Sequence, residues 1–394
     1  MARHARRLIT WILGGALALA LLGVLAVLAL VWLVDPNSFR ARIAQSASEA
    51  LGRPVQLGGD LHWHIGWNIA IQSEDGSIAN APGFGATPFA RWQRLQFGLG
   101  ARALMARRIV IDRIEFDGLQ VNLQRNAGGG NNWQFAARDV AADPAKSVAL
   151  QVGALRLRNS QLTFTDATAV WKLGELVLDV DLPSDLNASR RELRDIELRA
   201  HLSGGPLPAA GVPVGFEAAS LRHDASSATL ELPAFEARWS EANLSGNLRA
   251  VLGTPLLAQG NLSLRVASVR ALLADIGVTP PPMADPRTLG KLEGDGAIDL
   301  KGSSMSVTDL RAALDDTRLN GSVTVVTFTP FALRFDLTGD SIDFDRYLEP
   351  ADYQGKPFEL PLAQLKALNL QGALRLNSAT VAGVAAKDLT VKVE

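Results

Sequence analysis

The sequence predicts a mainly β protein: a single N-terminal transmembrane helix, a short amphipathic helix, and then an elongated, repeat-built antiparallel β-sheet. Three observations predict it. An uncharged apolar run fills Leu8 to Val34. Beyond Arg53 the apolar residues recur with period two rather than 3.6. Residues 232–256 resemble residues 307–331 without a gap, at an offset of 75.

The apolar run is almost entirely Leu, Ala, Val, Ile, Gly and Trp. At about 1.5 Å of rise per residue it is roughly 40 Å long, enough to cross a hydrocarbon core of about 30 Å with some tilt. Trp11 and Trp32 stand near its ends, where amphipathic rings favour the headgroup layer. A cleaved signal peptide would need a shorter apolar core and a small-x-small cleavage site, whereas Val31, Trp32, Leu33, Val34, Asp35 and Pro36 follow the core here. Arg3, Arg6 and Arg7 precede the span, so residues 1–7 are expected in the cytoplasm and everything after the 8–34 anchor on the far side. In a bacterium that places the body in the periplasm.

Next comes the amphipathic helix. Asp35 can cap it, Pro36 suits its first turn, and Phe39, Ile43, Ala47, Ala50 and Leu51 share one face. Gly52 is placed to end it. The alternating stretches follow: Ile69 and Ile71; Ile109 and Ile111; Ile114 and Phe116; Leu119, Val121 and Leu123. Leu155 and Leu157, Leu162 and Phe164, and Leu176, Leu178, Val180 and Leu182 continue the pattern. Leu262, Leu264 and Val266, then Phe331, Leu333, Phe335 and Leu337, complete it. Each reads as a half-buried antiparallel strand with one apolar and one polar face. Turns are expected at Asp117-Gly118 and Gly128 to Asn132, and one short helix at Val269 to Ile276. Ala136 to Ser147, Ser203 to Pro213 and the proline-rich Thr279 to Leu289 read as boundaries, giving units at 35–135, 148–278 and 290–394.

In the repeat, Phe235 pairs with Leu310, Ala237 with Ala312, Leu244 with Leu319 and Gly246 with Gly321, and Thr254-Pro255 with Thr329-Pro330. A third copy begins at Asp388-Leu389-Thr390-Val391, so the chain is expected to continue beyond Glu394 as a longer repeat array. A repeated strand unit cannot bury its apolar face alone; stacked copies make a long sheet whose apolar face needs a cover, either a second sheet or a ligand.

Composition narrows the function classes. Lys+Arg 39 against Asp+Glu 40 gives no charge excess for nucleic acid. Cys 0 excludes disulfides, thiol catalysis and Cys-held metals. His62-x-His64 falls on one strand face but lacks a third ligand nearby. Asp315-Asp316 and Asp343-x-Asp345 stand beside turn residues, where solvated carboxylates are ordinary. No nucleophile elbow, phosphate loop or zinc-protease motif is present. An enzyme is therefore not expected, and neither is a cofactor.

The first ~135 residues carry a series of motifs in fixed order. They are Asp35-Pro36-Asn37-x-Phe39-Arg40, then Gly52-Arg53-x-Val55-x-Leu57-x-Gly59-x-Leu61-x-Trp63, then Asn80-x-Pro82-Gly83-Phe84-Gly85 with Pro88-Phe89-Ala90. Ile114-x-x-Asp117-Gly118-x-x-Val121-Asn122-Leu123-x-Arg125-Asn126 and Asn132-Trp133 complete the set. Together they resemble the AsmA family of bacterial inner-membrane proteins. The resemblance implies an inner-membrane anchor, a periplasmic body and a link to outer-membrane biogenesis. It also implies kinship with bridge-like lipid-transfer proteins, whose taco-like β-sheet encloses a hydrophobic groove for glycerophospholipid acyl chains.

On that reading the groove lining is expected from Leu155, Leu157, Leu162, Phe164, Leu176, Leu178, Val180, Leu262, Leu264, Phe331, Leu333, Phe335 and Leu337. The partners are then the inner membrane and its phospholipids, with outer-membrane assembly proteins as a further class. The same residues also fit the core of a closed β scaffold that assists outer-membrane protein assembly.

Overall fold

A computed structural model describes residues 36–65, 69–100, 111–135, 152–183, 185, 188–280, 282–348 and 369–393. The expected anchor with Arg3, Arg6, Arg7, Trp11 and Trp32, and the loop expected at Ala136 to Ser147, lie outside them. Among the described residues no helix is long and apolar enough to cross a membrane.

A 3-10 turn, Pro36–Phe39, leads into a helix at Arg40–Leu51, and Gly52 ends it at φ 64. Strands follow: β1 (Val55–Leu57), β2 (His62–Ile65), β3 (Ile69–Ile78), β4 (Ala90–Leu99), β5 (Ile111–Asp117) and β6 (Gln120–Gln124). Next are β7 (Ala154–Thr165), β8 (Val170–Asp181), β9 (Arg190–Gly204), β10 (Val212–Asp224), β11 (Thr229–Trp239), β12 (Ala242–Val251) and β13 (Leu257–Val266). After a short helix at Val269–Asp275 come β14 (Leu292–Lys301), β15 (Ser304–Leu314), β16 (Thr317–Phe328), β17 (Phe331–Asp343), β18 (Leu370–Val381) and β19 (Val384–Val393). The second helix falls where the periodicity predicts it, capped by Ser268, whose Oγ accepts from the Ala271 N–H.

All 19 strands join one sheet. β1 and β2 lie along the two halves of β3, which pairs with β4; β4 then pairs with β5 and β6. From β7 to β17 each strand pairs antiparallel with the next. At about 4.8 Å per strand, the ladder from β3 to β19 extends on the order of 70 Å along the sheet.

Two junctions depart from the expected all-antiparallel pattern: β5 and β6 run parallel to β7, and β17 runs parallel to β18. A parallel neighbour needs a long crossover, and both junctions have one, from Gln124 to Ala154 and from Asp343 to Leu370. Asp117-Gly118 is likewise not a chain reversal. Gly118, at φ 67, kinks a single path, and β5 and β6 both continue along β7. The proline-rich 279–289 stretch leaves the ladder intact, since β13 and β14 pair from Leu257↔Lys301 to Val266↔Leu292.

The repeat recurs in the backbone. β11–β12 and β15–β16 carry bulges at matching sites, Leu232/Phe235 and Val307/Leu310. Gly246 and Gly321 share φ values of 155 and 143, and Thr254-Pro255 and Thr329-Pro330 are both cis. Asp309 and Asp388 share φ values of 50 and 51, which aligns the start of the third copy.

Candidate functional site

Side chains directly opposite on paired strands share a face of the sheet, so the register assigns every position. One face is apolar nearly throughout. Leu95, Phe116, Leu157, Leu178, Leu198, Phe216, Ala237, Leu244, Leu264, Gly294, Ala312, Leu319, Gly339, Leu376 and Leu389 are successive partners from β4 to β19. A second row, Ala200, Val214, Trp239, Ala242, Val266, Leu292 and Leu314, runs beside it. Most of these side chains are half-buried, neither sealed in a core nor standing in solvent. Among the described residues Leu157, Leu176 and Ala200 form a buried hydrophobic cluster, with Phe116, Leu155, Leu178 and Leu198 packed around it.

The other face is charged. Arg156, Asp179, Glu197, Glu217 and Glu236 are successive partners there. Cross-strand ion pairs tile it: Arg158 with Asp179 at 2.8 Å, Arg238 with Glu217 at 3.2 Å, Arg265 with Asp295 at 3.1 Å and Arg375 with Asp336 at 2.6 Å. The Arg238 guanidinium and the Asn243 amide hold the Glu236 carboxyl below the ordinary carboxylate range.

A crease crosses the sheet at mid-strand. It passes Asp195 (φ 49) on β9, the Leu232/Phe235 bulge on β11, Gly246 on β12, Gly260 on β13, Asp309 on β15, Gly321 on β16 and Gly372 on β18. A bulge bends its strand and sharpens its twist. The glycines are obligatory because neighbouring backbone lies where a Cβ would stand: 2.1 Å from Asn261 O at Gly246, 2.0 Å from Asp336 O at Gly321.

All thirteen expected lining residues stand on the apolar face. Leu155 and Val180 are partners, as are Leu157 and Leu178, Leu162 and Leu173, and Phe164 and Trp171. Leu262 lies opposite Gly246, Leu264 opposite Leu244, Leu337 opposite Gly321, Phe335 opposite Val323 and Leu333 opposite Val325. Leu176 and Val180 are buried, while Phe331, at a turn, is 44% exposed. Sequence reasoning passed over Leu198, Phe216, Leu244 and Leu319, which continue the same row.

The paired carboxylates of the sequence are tied into the scaffold. Asp315 accepts from the Leu289 and Gly290 N–H groups (3.0 and 2.8 Å) and the Tyr347 hydroxyl (2.7 Å). Asp345 accepts from the Ala382 and Gly383 N–H groups of the β18–β19 turn. His62 and His64 are exposed on β2, opposite Gln72 and Ala70. Among the described residues no three His, Asp or Glu side chains stand together as a metal site.

The N-terminal motifs are structural ties. Asn37 anchors the helix entry to Leu61, accepting from its N–H (2.7 Å) and donating to its carbonyl (3.2 Å). Arg53, 6% exposed, lies over the Phe89 and Phe135 rings and donates to the Gln134 carbonyl. Asn132, fully buried, donates to Asn80 Oδ1 and the Asn122 carbonyl and accepts from the Gln124 N–H. Residues from four separate motifs thus close one knot where β3, β4 and β6 meet.

No curated protein matches the chain. A sequence model of the AsmA family matches residues 3–250, which include the apolar N-terminal run, the knot and the sheet through most of β12. The motif order, the knot those motifs build and this match agree: the chain belongs to the AsmA family.

Proposed function

We propose that the chain is an inner-membrane-anchored periplasmic protein of outer-membrane biogenesis that carries phospholipids along its apolar face, with the bent sheet forming a groove. Membership of the AsmA family agrees with an envelope role. One observation supports the lipid reading: an apolar row is continuous from β4 to β19, and among the described residues every strand belongs to that single sheet, so no second sheet lies over it. A lipid acyl chain is a cover of the right chemistry. Each methylene moved from water onto such a surface gains about 0.8 kcal/mol.

The test is photo-crosslinking in cells from single positions, with adducts identified by mass spectrometry. Leu178 and Leu333 probe the apolar face, and Asp179 and Arg334 are the polar-face controls. Phospholipid adducts at the first pair alone are expected. Adducts at neither pair, on a folded protein, would sink the lipid reading and leave a closed β scaffold whose partners are proteins.

A further inference from the structure

The apolar face has one charged corner. Leu333, Val325, Met305, Leu300, Ala258, Ala250 and Leu230 form a row from β17 to β11, and that row ends on His223 of β10 and Arg191 of β9. Across β9–β16, among the described residues, these are the only ionisable side chains at apolar-face positions. The polar face behind them is electrically closed. Arg190 holds Asp224 at 2.9 Å, Arg222 holds Glu192 at 3.0 Å and Arg249 holds Glu231 at 3.0 Å. Arg191 has no such carboxylate among the described residues; its Nε donates to the Ala188 carbonyl at 2.9 Å. A cavity of ≈ 350 Å³ at this strand end is walled mainly by those polar-face pairs, with Arg191 and His223 beside them.

We infer that Arg191 and His223 take the phosphate of a phospholipid whose acyl chains lie along the apolar rows; this rests on the lipid reading above. With Nε engaged, the Arg191 fork keeps donors for a phosphate oxygen pair, and guanidinium suits that planar geometry. His223 adds a second ring donor beside it. The pair stands at a strand end, beside the Asp224–Thr229 turn, so a headgroup there meets water while its tails run inward over Leu193, Leu221 and Leu230. Three of the four arginines are neutralised in place, which leaves one net cation for one phosphate.

The test uses the purified full chain, loaded from vesicles of phosphatidylglycerol or of diacylglycerol in a neutral carrier, with bound lipid counted by mass spectrometry. Inorganic phosphate alone is titrated in a third arm. Arg191→Gln is expected to lower phosphatidylglycerol loading about tenfold, the scale of a lost charged hydrogen bond, and to leave diacylglycerol loading unchanged. Arg191→Lys is expected to recover part of it. Diacylglycerol loading doubles as the folding control, and His223→Leu gives an independent variant with a smaller loss in the same direction. Equal loading of both lipids by Arg191→Gln overturns the headgroup site and leaves the lipid reading standing. Failure of the unmodified chain to load either lipid overturns both. Arg191-dependent binding of inorganic phosphate without selective loss of the phospholipid assigns the corner to a free anion and overturns the headgroup source.

Discussion

Gly246→Ala puts the crease to the test. The new methyl would stand 2.1 Å from the Asn261 carbonyl oxygen, well inside the 3.0 Å that real Cβ atoms keep, and φ at this position is 155. The β12–β13 ladder must open locally. Backbone held in so sparse a region costs about 1–3 kcal/mol, and each ladder hydrogen bond lost adds about 0.5–1.5 kcal/mol. A destabilisation of about 2–4 kcal/mol is expected on those scales. Gly294→Ala is the matched control: it stands on the same face, with nothing within 4 Å of its added methyl and no positive φ. There the expected change runs from neutral to a gain of about 1 kcal/mol, the usual advantage of Ala over Gly in regular structure. Urea midpoints of the full chain, followed by far-ultraviolet circular dichroism, measure both. Equal midpoints for the two variants, within about 0.5 kcal/mol, would refute the crease as a steric necessity.

Gly321→Ala, with its methyl 2.0 Å from Asp336 O, is expected to match Gly246→Ala, and the double variant to lose the sum, because independent sites four strands apart add; the same urea series reads this. Asn132→Ala strands three partners of a fully buried amide and is expected to cost about 2–4 kcal/mol, at roughly 1 kcal/mol or more for each orphaned group, with faster proteolysis of the N-terminal third as a second measure. The Arg287 guanidinium and N–H, with Arg346 beside them, hold Asp285 well below the ordinary carboxylate range. Its contribution is therefore complete above about pH 4 and withdrawn as pH falls further. Asp285→Asn should be less stable than the parent at pH 6, and the gap should narrow steadily as pH falls from 4 to 2; a constant gap across urea midpoints at those pH values would contradict this.

How legible the fold was depended on the parity of its apolar residues. Where a strand keeps one parity, as in Leu262, Leu264 and Val266 or Leu333, Phe335 and Leu337, period two marked it correctly. Where a strand carries an extra residue at the crease, its apolar set moves from one parity to the other. β11 carries Leu230 and Leu232, then Phe235, Ala237 and Trp239, all on one face. Read linearly, that is two short fragments, of which the repeat marks only the second, Phe235, Ala237 and Trp239, as an alternating strand. β7 was read as two strands for the same reason, with Asn159 at φ 48 between Leu157 and Leu162. β9 was hidden by its polar face: Arg190, Glu192, Arg194, Glu197 and Arg199 mask the apolar partners between them. The repeat was visible because it preserves the phase change itself, with Gly246 and Gly321 fixed relative to their bulges. The parallel junctions were not legible, since strand direction depends on long crossovers that leave no local pattern.

The aligned bulges follow from a constraint that each strand places on the next. If one strand changed parity alone, its neighbour's apolar side chains would end opposite its polar ones, and half the sheet would turn inside out. The phase change in β11 is matched in β10 and, at Asp195, in β9, where the registers stay unbroken, and toward β12 the Leu232/Phe235 bulge absorbs it by a one-residue register shift. Glycines on β12, β13 and β16 let the bent backbones approach where no phase change is needed. The result is a sheet that keeps a single apolar face on both sides of the line of bulges and glycines. Along that face each position is much like the next, Leu or Ala or Val half-buried between its neighbours. An acyl chain thus gains a similar amount at every step, on the order of 0.8 kcal/mol per methylene withdrawn from water, and the surface presents no slope. In the proposed role the sheet lowers the barrier between two membranes, and direction must be imposed from outside, by a lipid gradient or a partner at either end.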